Sequence, residues 1–197
     1  MIYYLVLAFF VVEYMRPGNM LPPLNALRLN TVVPLCMLVA TALSGKVANG
    51  EVLSERNALI FATLTVLVVG SVVTAGNTLY AFTAFTVVLG YVLLTWVVAR
   101  QMGDIEDVKG LFKTLMFIHL GIVAVAPELV LDGQNRNYIP AGAFLGDGND
   151  FALSIDILVP FCLYMIFDAK GMKGRLFWGA SLLVLVAAII GTQSRGG

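Results

Sequence analysis

Apolar residues in this chain come in long blocks. They show neither the alternation of a half-buried strand nor the three-to-four spacing of a surface helix. Seven blocks, at roughly 1–15, 30–44, 58–75, 78–99, 111–131, 150–167 and 176–191, are separated by short polar or glycine-bearing stretches. A bilayer core about 30 Å thick takes ~20 apolar residues at the helical rise. The blocks are near that length, so the expected fold class is all-α: a polytopic transmembrane helix bundle of about seven spans, forming one integral-membrane domain over 1–197. The first block is short, as suits a helix that starts at the interface or tilts little. Glu13, Tyr14, Met15, Arg16, Pro17 and Gly18 end it. Asn25 to Asn30 prepares the second block, whose Pro34 lies near the start, where a missing amide matters least. Gly76 and Asn77 make a tight turn, so blocks three and four should form a hairpin.

Composition agrees. The chain is 59% hydrophobic and 12% charged, with a mean hydropathy of +0.90, far outside the soluble range. Net charge is zero, so there is no nucleic-acid footprint. Cys36 and Cys162 both lie inside apolar runs and read as small core residues, not as a disulfide or a metal site. No basic region or small-residue cleavage site opens the chain, so Met1 to Met15 reads as a retained span.

Charge sets the expected orientation. Lys46, Arg56, Arg100, Lys109, Lys113, Lys170, Lys173 and Arg175, eight of the twelve basic residues, fall on one side of the bundle. Arg16, Arg28, Arg136 and Arg195 fall on the other. The positive-inside rule then puts the N-terminus in the cytoplasm and Arg195 outside. Every basic residue on the outer side is Arg, whose planar fork suits phosphate or carboxylate better than an ammonium does.

The candidate chemistry sits at that outer side. The uncharged block seven delivers Thr192, Gln193, Ser194, Arg195, Gly196 and Gly197. Small residues around a lone guanidinium leave room for a large anion; the alternative is that Arg195 anchors a helix end by snorkelling. The polar connection from Asp132 to Asn149 carries Arg136. Asp147 or Asn149 can cap the helix that follows, and Asp150 suits its positive end. Asp156 lies about two turns further in, where an ionisable group is costly unless paired or wetted. Its seven-residue spacing from Asn149 puts both on one helical face, which Pro160 continues. That stripe fits either a wet cleft open to the outside or an Asp satisfied by a neighbouring helix.

His119, the only histidine, falls midway along block five and reads as an interhelical hydrogen-bonder; Glu128 is out of phase with it. Tyr80, Trp96 and Trp178 read as interfacial anchors. No glycine-rich loop precedes a lysine, no metal-ligand cluster appears, and no Ser-His-Asp set can be built around one buried His. Neither metal nor cofactor is expected. No internal repeat or pair of broken helices is visible.

Three segments together carry a resemblance: Glu13-Tyr-Met-Arg-Pro-Gly, Gly146-Asp-Gly-Asn-Asp-Phe-Ala entering a Pro-containing helix, and Thr192-Gln-Ser-Arg-Gly-Gly. With them the chain resembles the bacterial O-antigen ligase family, which includes O-antigen polymerase-like proteins. The resemblance implies a membrane glycosyltransferase in the bacterial inner membrane. It would move a glycan from a lipid diphosphate carrier, usually undecaprenyl diphosphate, to a lipid A-core, polymer or protein acceptor at the periplasmic face. Arg195 matches the arginine of the family's Ser-Arg-Gly motif. It would bind the diphosphate and stabilise charge on the leaving group, and so act as the catalytic residue. Arg136, Asn149 and Asp156 are the further candidates for substrate binding. The implied partners are the glycan donor, the acceptor and membrane lipid, with no nucleic acid. Family members continue past this motif into a periplasmic loop whose histidine activates the acceptor. The chain therefore resembles the N-terminal part of a longer ligase and is expected to bind rather than catalyse. Two other readings stand beside this one: a small transporter or channel component with a polar path around Asp156, and a structural membrane subunit without chemistry.

Overall fold

A computed structural model of the chain describes residues 2–17, 22–44, 55–125 and 148–192. Every element among them is helical: α1 (Ile2–Met15), α2 (Pro22–Asn25), α3 (Leu29–Leu43), α4 (Glu55–Thr74), α5 (Thr78–Gln101), α6 (Ile105–Val125), α7 (Gly148–Asp156), α8 (Leu158–Asp168) and α9 (Met172–Gly191). Among the described residues, five stretches are long and apolar enough to cross a membrane: Pro23–Leu43, Thr78–Val98, Ile105–Val125, Gly148–Asp168 and Met172–Gly191. This is the constitution of a multi-pass membrane protein. The blocks expected at 1–15 and 58–75 correspond to shorter apolar helices, Ile2–Met15 and Ala62–Thr74. The 14 residues of α1 extend about 21 Å, less than the ~30 Å hydrocarbon core.

The breaks have local causes. α1 ends because Arg16 adopts a left-handed φ of 43°. Pro17 follows and disfavours a right-handed helical residue before it. Arg28, at φ 45°, makes the same kind of break between α2 and α3. Between α4 and α5 the side-chain oxygen of Asn77 accepts from the Tyr80 amide at 3.1 Å and caps the new helix, so the expected hairpin turn is present. Block six, expected as one helix, is two. Pro160 lacks the amide that would bond to the Asp156 carbonyl, and α7 gives way to α8 at Ile157. Ile157 keeps helical angles (φ −62°, ψ −29°), so the result is a kinked rod.

The chain falls into two compact units, Met1–Val6 with Pro34–Asp107, and Leu7–Val33 with Val108–Gly197. The first contains the α4–α5 hairpin, most of whose apolar side chains are exposed, among them Leu67, Val73, Leu79 and Phe82. Its hydroxyls turn back on their own helices: Thr63 donates to the Leu59 carbonyl, Ser71 to Val68, Thr83 to Leu79 and Thr95 to Tyr91. Satisfied in this way, they can face hydrocarbon.

The second unit has a dense core. Met116, Ile118, Ile122, Phe151, Ile155, Leu158, Cys162, Leu185 and Ala188 are buried together. Phe161 stacks on Phe112 with centroids 5.0 Å apart and meets Trp178 edge-on at 5.8 Å. Trp178 is only 8% exposed, which corrects its reading as an interfacial anchor: edge-on contacts with Phe161 and Phe177 make the bundle interior its better solvent. Tyr80, by contrast, is exposed. The two cysteines also part company. Cys162 is buried as expected; Cys36 is exposed, because its face of α3 is not covered.

Candidate functional site

The site has to be built from the second unit, whose helix ends lead to the candidate residues. His119 and Ser154 are its central feature. His119 lies six residues before the end of α6, and Ser154 six residues after the start of α7. Two antiparallel helices joined by the 126–147 connection thus bring both to the same depth, about 9 Å from that end. His119 Nδ1 donates to the Leu115 carbonyl at 2.7 Å, and Nε2 lies 2.7 Å from Ser154 Oγ. A carbonyl cannot donate, so in the neutral ring Nε2 is the acceptor and the Ser154 hydroxyl its donor. Ser154 Oγ is also 2.7 Å from the Phe151 carbonyl. Its one proton serves either partner but not both.

Aromatic rings close the pair in. Phe151 stacks on the imidazole at 5.7 Å, and Tyr14 meets it edge-on at 5.6 Å. His119 is 1% exposed. It is the interhelical link expected from the sequence. The serine that completes it was not foreseen, although two polar residues equally deep in consecutive spans are a readable signal.

This link orders the end of the unit from which the candidate residues issue. Tyr14 against His119 brings the C-terminal end of α1, with Arg16, to the last turns of α6. A Cβ at Gly121 would meet Met15 Cε at an ordinary contact distance of 3.8 Å, so the end of α1 lies against α6 there. Phe161 on Trp178 sets the antiparallel register of α8 and α9. Equal runs of residues lead from that contact back to Gly148 and on to Gly191, so the start of α7 and the end of α9 reach the same level. Gly191 and Thr192 are buried there. The Thr192 hydroxyl donates to the Ile189 carbonyl at 2.7 Å and tightens the last turn.

The sequence candidates are distributed over this frame unequally. Arg195 and Arg136 lie outside the described residues, as do Asp147 and Glu128. Asn149 is half-buried in the first turn of α7. It is inside the helix, so it is not the cap; Asp150 sits exposed in the same first turn, as the helix dipole favours. Asp156 is the last residue of α7, beside the kink, half-buried and without a hydrogen-bond or ion-pair partner among the described residues. The satisfying neighbour helix, one of the two readings of Asp156, is absent from that set. Arg16 pairs with Glu13 at 3.5 Å, a one-turn contact at the end of α1.

The opposite end of the unit is held by different chemistry. Lys109, early in α6, reaches Asp168 at the end of α8 at 3.3 Å and lies 5.4 Å from the Tyr164 ring centre. Arg175 Nε donates to the Ala169 carbonyl at 3.3 Å. Lys109 and Arg175, assigned to one side by charge, are therefore at one end of this unit. Among the described residues no three His, Cys, Asp or Glu side chains gather as metal ligands would. Compared with models of protein families, with curated proteins and with solved structures, the chain matches none.

Proposed function

We propose that the chain is a membrane glycosyltransferase of the O-antigen ligase type. It would bind a glycan carried on a lipid diphosphate at the periplasmic face of the bacterial inner membrane for transfer to a lipid A-core, polymer or protein acceptor. One observation supports the reading most: the ends of α1, α6, α7 and α9 gather at one level of a single unit. These are the ends adjoining the segments with Arg16, Arg136, Asn149 and Arg195. In this reading the bundle has about seven spans with a cytoplasmic N-terminus. Arg195 grips the diphosphate by its bidentate fork, with Arg136 as second donor. Asn149 and Asp156 line the approach along α7.

The direct test is binding. The chain in lipid nanodiscs is titrated with undecaprenyl diphosphate, with undecaprenol as control. Arg195→Ala should weaken binding of the diphosphate by about tenfold or more, as loss of a charge-assisted contact does. Arg195→Lys should recover part of it. Unchanged binding in Arg195→Ala would reduce Arg195 to a helix anchor. Orientation is tested separately, with cysteines placed at Gln134 and Lys109 and an impermeant thiol reagent added outside. Labelling at Lys109 but not Gln134 would invert the topology and remove the reading.

A second reading, a small transporter with a polar path, is favoured by one feature: Asp156, beside the kink at Ile157, has no partner among the described residues. Kinked helices with a carboxylate at membrane depth serve ion and proton pathways. Substrate-dependent proton flux into vesicles, lost in Asp156→Asn, would select it.

A further inference from the structure

The first unit contains a groove of about 840 Å³ that the glycan-transfer reading does not use. Its wall is the start of α1 and one face of α3, where Leu35, Val39 and Leu43 recur at one-turn spacing; Gln101 at the end of α5 and Asp107 at the start of α6 close one end. Tyr3 fixes that end by donating its hydroxyl to the Asp107 main-chain carbonyl at 3.3 Å. Two groups there are unmatched. The side-chain nitrogen of Gln101 is buried without a hydrogen-bond partner among the described residues. The Asp107 carboxylate is half-buried and has no cation beside it among the described residues. Helix polarity favours an acid in the first turn of α6, but it leaves the carboxylate's outer lone pairs unfilled. Nearby Asp104 is exposed and adds to the negative field.

An occupant of this groove has to be long and apolar along α3. At the other end it has to bring a hydrogen-bond acceptor for Gln101 and a positive charge for Asp107. We infer that the groove binds a phospholipid with a primary-ammonium headgroup, its acyl chain along Leu35, Val39 and Leu43, its phosphate or ester oxygen on Gln101 and its ammonium on Asp107. An anionic headgroup would meet the carboxylates with the wrong sign. A quaternary ammonium carries the charge but cannot donate a hydrogen bond.

The test is photo-crosslinking in vesicles of phosphatidylcholine. A phosphatidylethanolamine with a diazirine in its acyl chain is the probe, and adducts are mapped by peptide. Adducts should concentrate on the Leu35–Leu43 stretch of α3. Excess unlabelled phosphatidylethanolamine should suppress them about fivefold more than phosphatidylglycerol does, the size of one screened charge-assisted contact. Asp107→Asn should erase that difference, and Gln101→Ala should lower total α3 labelling with either competitor. Labelling of the exposed α4–α5 faces should stay constant in every variant, which controls for folding. Equal competition by the two lipids, adducts spread evenly over all apolar faces, or a headgroup preference that survives Asp107→Asn would each overturn the assignment.

Discussion

The α4–α5 hairpin and the α6–α9 bundle use similar residues to opposite ends. In the hairpin Leu67, Val73 and Leu79 are 63–80% exposed, while in the bundle Phe151, Ile155 and Leu185 are fully buried. Hydroxyls differ in the same way. In the hairpin Thr63, Ser71, Thr83 and Thr95 bond back to their own helix, whereas Ser154 reaches across to His119 on another. Lipid is as apolar as leucine, so apolarity alone does not drive one helix onto another in a membrane. Shape, small residues and polar links decide which faces meet. The bundle has all three: stacked aromatic rings, Gly121 against α1, and the His119–Ser154 pair.

The comparison breaks most sharply under truncation. Phe151→Ala should destabilise the chain by ~3–5 kcal/mol, the cost of a large buried cavity, in SDS-driven unfolding from mixed micelles. Leu67→Ala, on the hairpin, should change the same midpoint by less than ~0.5 kcal/mol. Equal effects would mean the hairpin face is packed rather than open to lipid.

A smaller effect isolates the polar link. In a double-mutant cycle, His119→Ala and Ser154→Ala should couple by ~0.6–2 kcal/mol, the range of interhelical hydrogen bonds in membranes. Zero coupling would leave the bundle to packing alone. Smaller still is the ion pair at the other end. Lys109→Met should cost at most ~1 kcal/mol and lose its effect in high salt, because Asp168 is 43% exposed. A salt-independent loss would assign Lys109 to packing on Tyr164 instead.

Much of this was legible in the residues. Long apolar blocks announced all-helical, membrane-crossing architecture, and Gly76-Asn77 announced the hairpin turn. Pro160 held the kink in plain view, yet the block around it reads as one helix because the run of apolar letters continues through it. The seven-residue spacing of Asn149 and Asp156 correctly placed them on one helix, with the break just beyond.

Trp178 and Cys36 went the other way. One reads as an anchor and is core; the other reads as core and lies on an open groove. Both errors have one cause. Inside a bilayer a buried face and a lipid face have the same composition, so pattern cannot separate them.

What the chain determined by itself is therefore local: where helices run, how they end at Arg16, Arg28 and Asn77, and that hydroxyls such as those of Thr63 and Thr83 bond back to their own helix. These depend on backbone dihedrals and on neighbours within one turn. Only the tertiary structure decided that His119 meets Ser154, that Phe161 meets Trp178, and that Gln101 and Asp107 close one groove. Each joins residues from different helices. In a solvent indifferent to apolar surface, such partners are chosen by shape and hydrogen-bond geometry, which no single helix encodes.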